Sequence, residues 1–90
     1  MRVTPIRIAE VRFSEAVSRK IEVKHNVNER EVREACCFGK RIDARWDDHP
    51  ELGRRPIVRA ETHEGWPIVV VLMRDEDDPD VWICKTARRI

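Results

Sequence analysis

The sequence predicts an α+β fold in one domain over residues 1–90: a short N-terminal strand, two helices, then an antiparallel meander of about four strands. Three observations predict it. Apolar residues recur at helical spacing only between residues 15 and 38, and strict alternation takes over beyond residue 42. The run WPIVVVLMR (66–74) is apolar at every parity, as a central strand with both faces covered would be. The chain is 90 residues long, which leaves room for one modest core.

Each element has its own local signal. RIAEVRF (7–13) alternates Ala9, Val11 and Phe13 against Ile8, Glu10 and Arg12, a short strand with Phe13 on its apolar side. Ser14 then offers a side-chain acceptor to the free N–H groups of a helix over residues 15–25. A 100° step per residue puts Ala16, Val17, Ile21 and Val23 on one broad face, with Lys20, Lys24 and His25 within it or beside it. Asn28 followed by Glu31 has the form of a capping box for a second helix to Phe38, with Val32, Ala35 and Cys36 as its stripe and Gly39 ending it. Only a tight corner fits between the helices.

From residue 42 the period is two. IDARW (42–46) is a strand, residues 47–53 read as a loop punctuated by Pro50 and Gly53, and residues 55–61 alternate again. There Ile57, Arg59 and Glu61 take one side, Val58 and Ala60 the other. Gly65 supplies the turn into the central strand, and the acidic run from Asp75 to Asp80 supplies the turn into a last strand over residues 81–85.

Charge narrows the function. Lysine and arginine total 18 against 17 acids, so net charge is +1 and 39% of residues are charged. Five of those acids, Asp75, Glu76, Asp77, Asp78 and Asp80, sit in one turn, which leaves twelve against eighteen cations on the rest. A body of that kind suits an anionic partner such as RNA, although composition by itself favours the plainer reading, a solvated acidic turn on an ordinary surface. Three cysteines, two of them adjacent, make no disulfide framework, and His25, His49 and His63 lack the spacing of a zinc site. No metal and no cofactor are expected. The start of the chain lacks the apolar core of a signal peptide, and no apolar run is long enough to span a membrane, so the expected location is cytoplasmic.

The same scan removes several chemistries. The three glycines are isolated and form no phosphate loop, and no serine sits in a nucleophile elbow. What remains is cationic: Lys24 and His25 at the end of the first helix, Arg54 and Arg55 opening a strand, Arg74 closing the central strand, and Lys85, Arg88 and Arg89 at the end of the chain. Cations with one histidine suit cleavage of RNA through its own 2′-hydroxyl, because the substrate brings the nucleophile and the protein orients it, neutralises phosphate charge and moves protons. Each residue also has an ordinary structural role open to it: Lys24 can lay its stem over the core, His25 can bond helix carbonyls, and Trp82 can pack. Arg74 and Arg88 lie at opposite ends of the final hairpin, so a site shared by both requires the chain to bend after Lys85.

Several short motifs in one order resemble the BrnT family of toxins from type II toxin-antitoxin pairs, which have a RelE-like ribonuclease fold. A Lys-His-Gly-Val-like corner is matched by Lys24-His25-Asn26-Val27, with asparagine where the family usually has glycine. The acidic helix is matched by NEREVREA, the Gly-Arg-Arg-like strand opening by Gly53-Arg54-Arg55, and the valine-rich strand after a glycine turn by Gly65 and Val69-Val70-Val71. A closing Ser/Thr-Ala-Arg signature is matched by Thr86-Ala87-Arg88. The resemblance spans roughly residues 11–88. It implies a ribonuclease that works without metal through Lys24, His25, Arg55, Arg74 and Arg88, neutralised by a cognate antitoxin protein, either as a homodimer or as a hetero-oligomer with it. The rival expectation is a catalytically silent interaction module on the same fold, binding protein or nucleic acid.

Overall fold

The computed structural model describes residues 8–38, 42–51, 53–78 and 80–90; Arg7 and Gly39, expected to begin the first strand and end the second helix, lie outside them. Seven elements follow in the order β1 (Glu10–Arg12), α1 (Glu15–His25), α2 (Glu29–Phe38), β2 (Ile42–His49), β3 (Gly53–Glu61), β4 (Pro67–Arg74) and β5 (Val81–Arg89). The strands form one sheet in the order β1-β5-β4-β3-β2. The last four make the expected antiparallel meander, while β1 lies parallel to β5 and makes the sheet mixed. Both helices pack on one face, α1 against β5 and α2 against β1 and β3.

The helix ends follow their sequence signals closely. Ser14 Oγ accepts from the Val17 N–H at 3.2 Å. The capping box closes in both directions: Glu31 N–H donates to Asn28 Oδ1 at 2.8 Å, and Asn28 N–H donates to Glu31 Oε1 at 3.3 Å. Between the helices Asn26 turns left-handed at φ 54°, which asparagine tolerates better than most residues. Val27 then buries completely and its N–H reaches back to the Ile21 carbonyl at 3.1 Å.

Four expectations need correction. The apolar face of α1 is narrower than its wheel implies, since only Ile21 is buried and Val23 is 78% exposed. The helix packs against β5, the second strand of the sheet, with Ile21 buried and Val17 partly buried against the core, and that contact does not reach Val23. The β2–β3 hairpin runs on to the pair His49 and Gly53 in place of a loop from residue 47. Asp47 faces Arg55 and Asp48 faces Arg54 across it, and opposite charges on paired strands favour the extension.

The central strand is covered on one face only. Ile68, Val70 and Leu72 are buried beneath the helices, whereas Val69, Val71 and Met73 are half-buried on a face no described element covers. Finally, β5 does not bend after Lys85 but continues to Arg89, with a bulge at Lys85. Leu72 pairs with Cys84 and Val71 pairs with Thr86, so one residue of β5 has no opposite number. Beyond it the parity is reversed: Ala87 and Arg89 join Trp82 and Cys84 on the helix face, and Arg88 joins the open face.

The core contains Val11, Ile21, Val27, Val32, Ala35, Cys36, Val58, Ile68, Val70, Leu72, Trp82, Cys84 and Ala87. The cysteines are free, and burial pushes the thiols of Cys36 and Cys84 up to about 12. Such thiols are small core hydrophobes and poor nucleophiles. Cys37, less enclosed, is also raised by burial, against which Arg33 pulls it down.

The narrow contact of α1 predicts a sharp contrast between two of its aliphatic residues. Ile21→Ala should cost about 2–5 kcal/mol in urea unfolding, and Val23→Ala should stay within about 0.5 kcal/mol of the parent. Equal losses at the two positions would show that α1 buries the wider face.

Candidate functional site at one end of the sheet

The five residues expected to act together fall into two groups. Arg89 Nε donates to the Asn26 carbonyl at 3.1 Å, which fixes the Lys24-His25-Asn26 corner against the end of β5. Arg88 is its chain neighbour and points to the open face, opposite Val69. Lys24 and His25 therefore lie on the helix side of the C-terminal end of β5, and Arg88 lies at the same end on the opposite face of the sheet.

Arg74 pairs with Trp82 at the other end, six residue steps along β4 from the Ile68–Arg89 pair, or about 20 Å. Its guanidinium lies 5.5 Å from the centre of the Trp82 ring, itself tilted against Trp46 at 6.1 Å. Arg55 stands on the open face near the same far end, 3.7 Å from Asp47, and its Nε is buried without a hydrogen bond. Arg55 and Arg74 thus do not share a site with His25. Arg54 covers the ring of Trp46 at 5.4 Å.

Arg59 joins the first group in their place. It shares a row across four strands with Arg88, Val69 and Asp43, about 10 Å from Arg88 along the pairing direction. Among the described residues neither Arg59 nor Arg88 has an ion-pair partner, and both are exposed. A groove of about 600 Å³ lies at this end, lined by Ile42, Asp43, Arg59, Ala60, Glu61, Pro67 and Ile90. Asp43 Oδ1 is buried there without a hydrogen bond.

Arg89 has a different role from Arg88. Besides Asn26 it binds Glu31 Oε2 at 3.1 Å, and its guanidinium lies 5.1 Å from the centre of the Trp66 ring. Glu31 also caps α2, so the Arg89 guanidinium joins the end of α1 through Asn26 and the start of α2 through Glu31 to the last residue of the sheet. Among the described residues no group of three or more His, Cys, Asp or Glu is arranged to hold a metal ion, and no helix is long and apolar enough to cross a membrane. Comparison with protein-family models, curated proteins and solved structures finds no match for this chain.

The sequence carried a signal for this arrangement that simple alternation passes over. In WICKTAR the apolar residues that face the helices are Trp82, Cys84 and Ala87, a step of two followed by a step of three. That change of step marks a bulge. Arg59 was visible as an alternating surface position, but nothing local ties it to Arg88.

If Arg89 holds the corner, Arg89→Gln should cost about 1.5–3 kcal/mol, the range for hydrogen bonds to charged groups. Amide exchange should accelerate at Asn26, Val27 and Asn28 ahead of β3 and β4. Unchanged exchange at the corner would show that the α1–α2 junction holds without Arg89.

Proposed function

We propose that this chain is a metal-independent ribonuclease, the toxin of a type II toxin-antitoxin pair, acting at the C-terminal end of β5. The observation that carries the reading is the bond from Arg89 to the Asn26 carbonyl, which brings His25 and Lys24 to the end of the strand that bears Arg88. Two exposed arginines without an ion-pair partner among the described residues, Arg59 and Arg88, supply phosphate-binding charge on the open face at that end of the sheet. The order of elements, with two helices between the first strand and the meander, agrees with the RelE-like fold that the motifs suggest.

The chemistry needs little apparatus. The 2′-oxygen of one nucleotide attacks its own 3′-phosphorus, the P–O5′ bond breaks, and the products are a 2′,3′-cyclic phosphate and a 5′-hydroxyl. The proton from the 2′-hydroxyl goes to a base while the departing O5′ takes one up. His25 is half-buried at the end of α1, and an imidazole carries both a proton donor and an acceptor, so it can serve in either role. Arg88 stabilises the extra negative charge on the phosphoryl oxygens, with Lys24 as a second cation. A cognate antitoxin would hold the protein inactive by covering this end.

A second reading has its own support. The separation of Arg55 and Arg74 from the corner leaves fewer cations than the family resemblance implies, which favours a catalytically silent binding module. Induced expression distinguishes the two.

The nuclease should arrest growth and leave RNA fragments ending in a 2′,3′-cyclic phosphate. Arg88→Ala should lower cleavage about 10²- to 10³-fold and His25→Ala about 10²-fold or more, whereas Arg74→Ala should stay within a fewfold. Chelation by EDTA should leave the rate unchanged. Normal growth at high expression with intact RNA would leave the silent module standing.

A further inference from the structure

The third tryptophan differs from the other two. Trp82 is 2% exposed and Trp46 packs against it within the core, but Trp66 is 51% exposed in the β3–β4 turn. An indole left half in water usually lies on a mobile side chain. This one is held from both sides.

Its backbone is tied to a single buried residue. The Trp66 N–H donates to Thr62 Oγ1 at 3.1 Å, and the Trp66 carbonyl accepts from the Thr62 N–H at 2.9 Å. Thr62 is 5% exposed, and its carbonyl accepts from Gly65 N–H at 2.9 Å where Gly65 turns at φ 88°. The turn is a closed unit, and Trp66 leaves it in one direction.

Its ring is then backed by a cation with two further anchors. Arg89 lies 5.1 Å from the ring centre and is itself bonded to the Asn26 carbonyl and to Glu31. A cation against a half-exposed indole makes an apolar platform at the same end of the sheet as His25 and Arg88. Core packing does not need it, because Trp66 lies outside the buried cluster.

We infer that Trp66, backed by Arg89, is a stacking site for an unpaired nucleobase, and that the ligand at this end of the sheet is single-stranded RNA. The inference rests on the ribonuclease reading and adds the substrate class to it. Bases splayed from a single strand stack on aromatic rings and on guanidinium planes, which a duplex does not permit. A strand crossing the end of the sheet would set phosphates on Arg88 and Arg59 on the open face and one base on Trp66 beside the corner. Because His25 lies on the helix side of β5 and Arg88 on the open side, the scissile phosphate would sit at the end of the strand, between the two.

The probe is a short 2′-O-methyl RNA of mixed sequence, which binds without being cut, beside its abasic twin of equal length. Base stacking should quench tryptophan emission with the first and not with the second, and the parent should bind the first about tenfold or more tightly. Trp66→Ala should abolish that preference and the quenching while leaving affinity for the abasic twin as it was, which also reports that the variant is folded. Trp66→Phe should keep the preference and lose the quenching, since a ring remains but the fluorophore is gone. If Trp66→Ala prefers the base-bearing oligomer as strongly as the parent, the stacking site is overturned while RNA binding stands. If neither oligomer binds the parent, the RNA reading itself falls and takes the site with it.

Discussion

The extra residue at Lys85 is the constraint on which the rest depends. Without it, strict alternation would carry the side of Trp82 and Cys84 on through Thr86 and Arg88. A guanidinium would then point into the helix-covered core, and Ala87 would face solvent. The bulge reverses the parity once, so that Ala87 closes the core and the two terminal arginines of β5 part to opposite faces. The Lys85 carbonyl accepts from Lys20 Nζ at 3.3 Å, which gives α1 a polar hold on the strand where the register slips. Bulges commonly occur where a strand must re-aim a side chain.

Everything at the candidate site follows from that split. Arg89, turned to the helix side, meets the left-handed corner, the cap of α2 and the turn before β4. Arg88, turned to the open side, has no carboxylate partner among the described residues and lies in a row with Arg59. One arginine is spent on structure and the other is free for a ligand. The same face of the sheet carries Val69, Val71 and Met73 half-buried, so its centre is apolar and its charge is concentrated toward the ends. The far end is balanced differently: Arg74 and Arg54 lie over tryptophan rings, and Arg55 has Asp47 beside it.

The helices, their caps and the order of strands were legible in the sequence because each is set by local chemistry. Ser14, Asn26, Asn28 and Glu31 act within a few residues of themselves, and their roles can be read without knowing the fold. The corrected features all depend on something distant. How much of α1 is buried depends on where the helix meets β5, which left Val23 in solvent although its spacing is that of a core residue. The length of the β2–β3 hairpin depends on two acids meeting two arginines across it. The direction of Arg88 depends on a register slip against β4. Of the five residues suggested for the site, Lys24, His25 and Arg88 share one end of the sheet because Arg89 joins the corner to the strand, a contact spanning 63 positions of sequence that no local pattern records.

Whether RNA engages the C-terminal end of β5, as proposed, is tested by a map of backbone amide shifts during titration with uncleavable single-stranded RNA. Perturbations are expected at residues 24–26, at Arg59, at Thr62 to Trp66 and at Arg88 to Ile90, with residues around Arg55 and Arg74 unmoved. Perturbations concentrated at the far end of the sheet, around Arg55, Arg74 and the acidic turn, would contradict it.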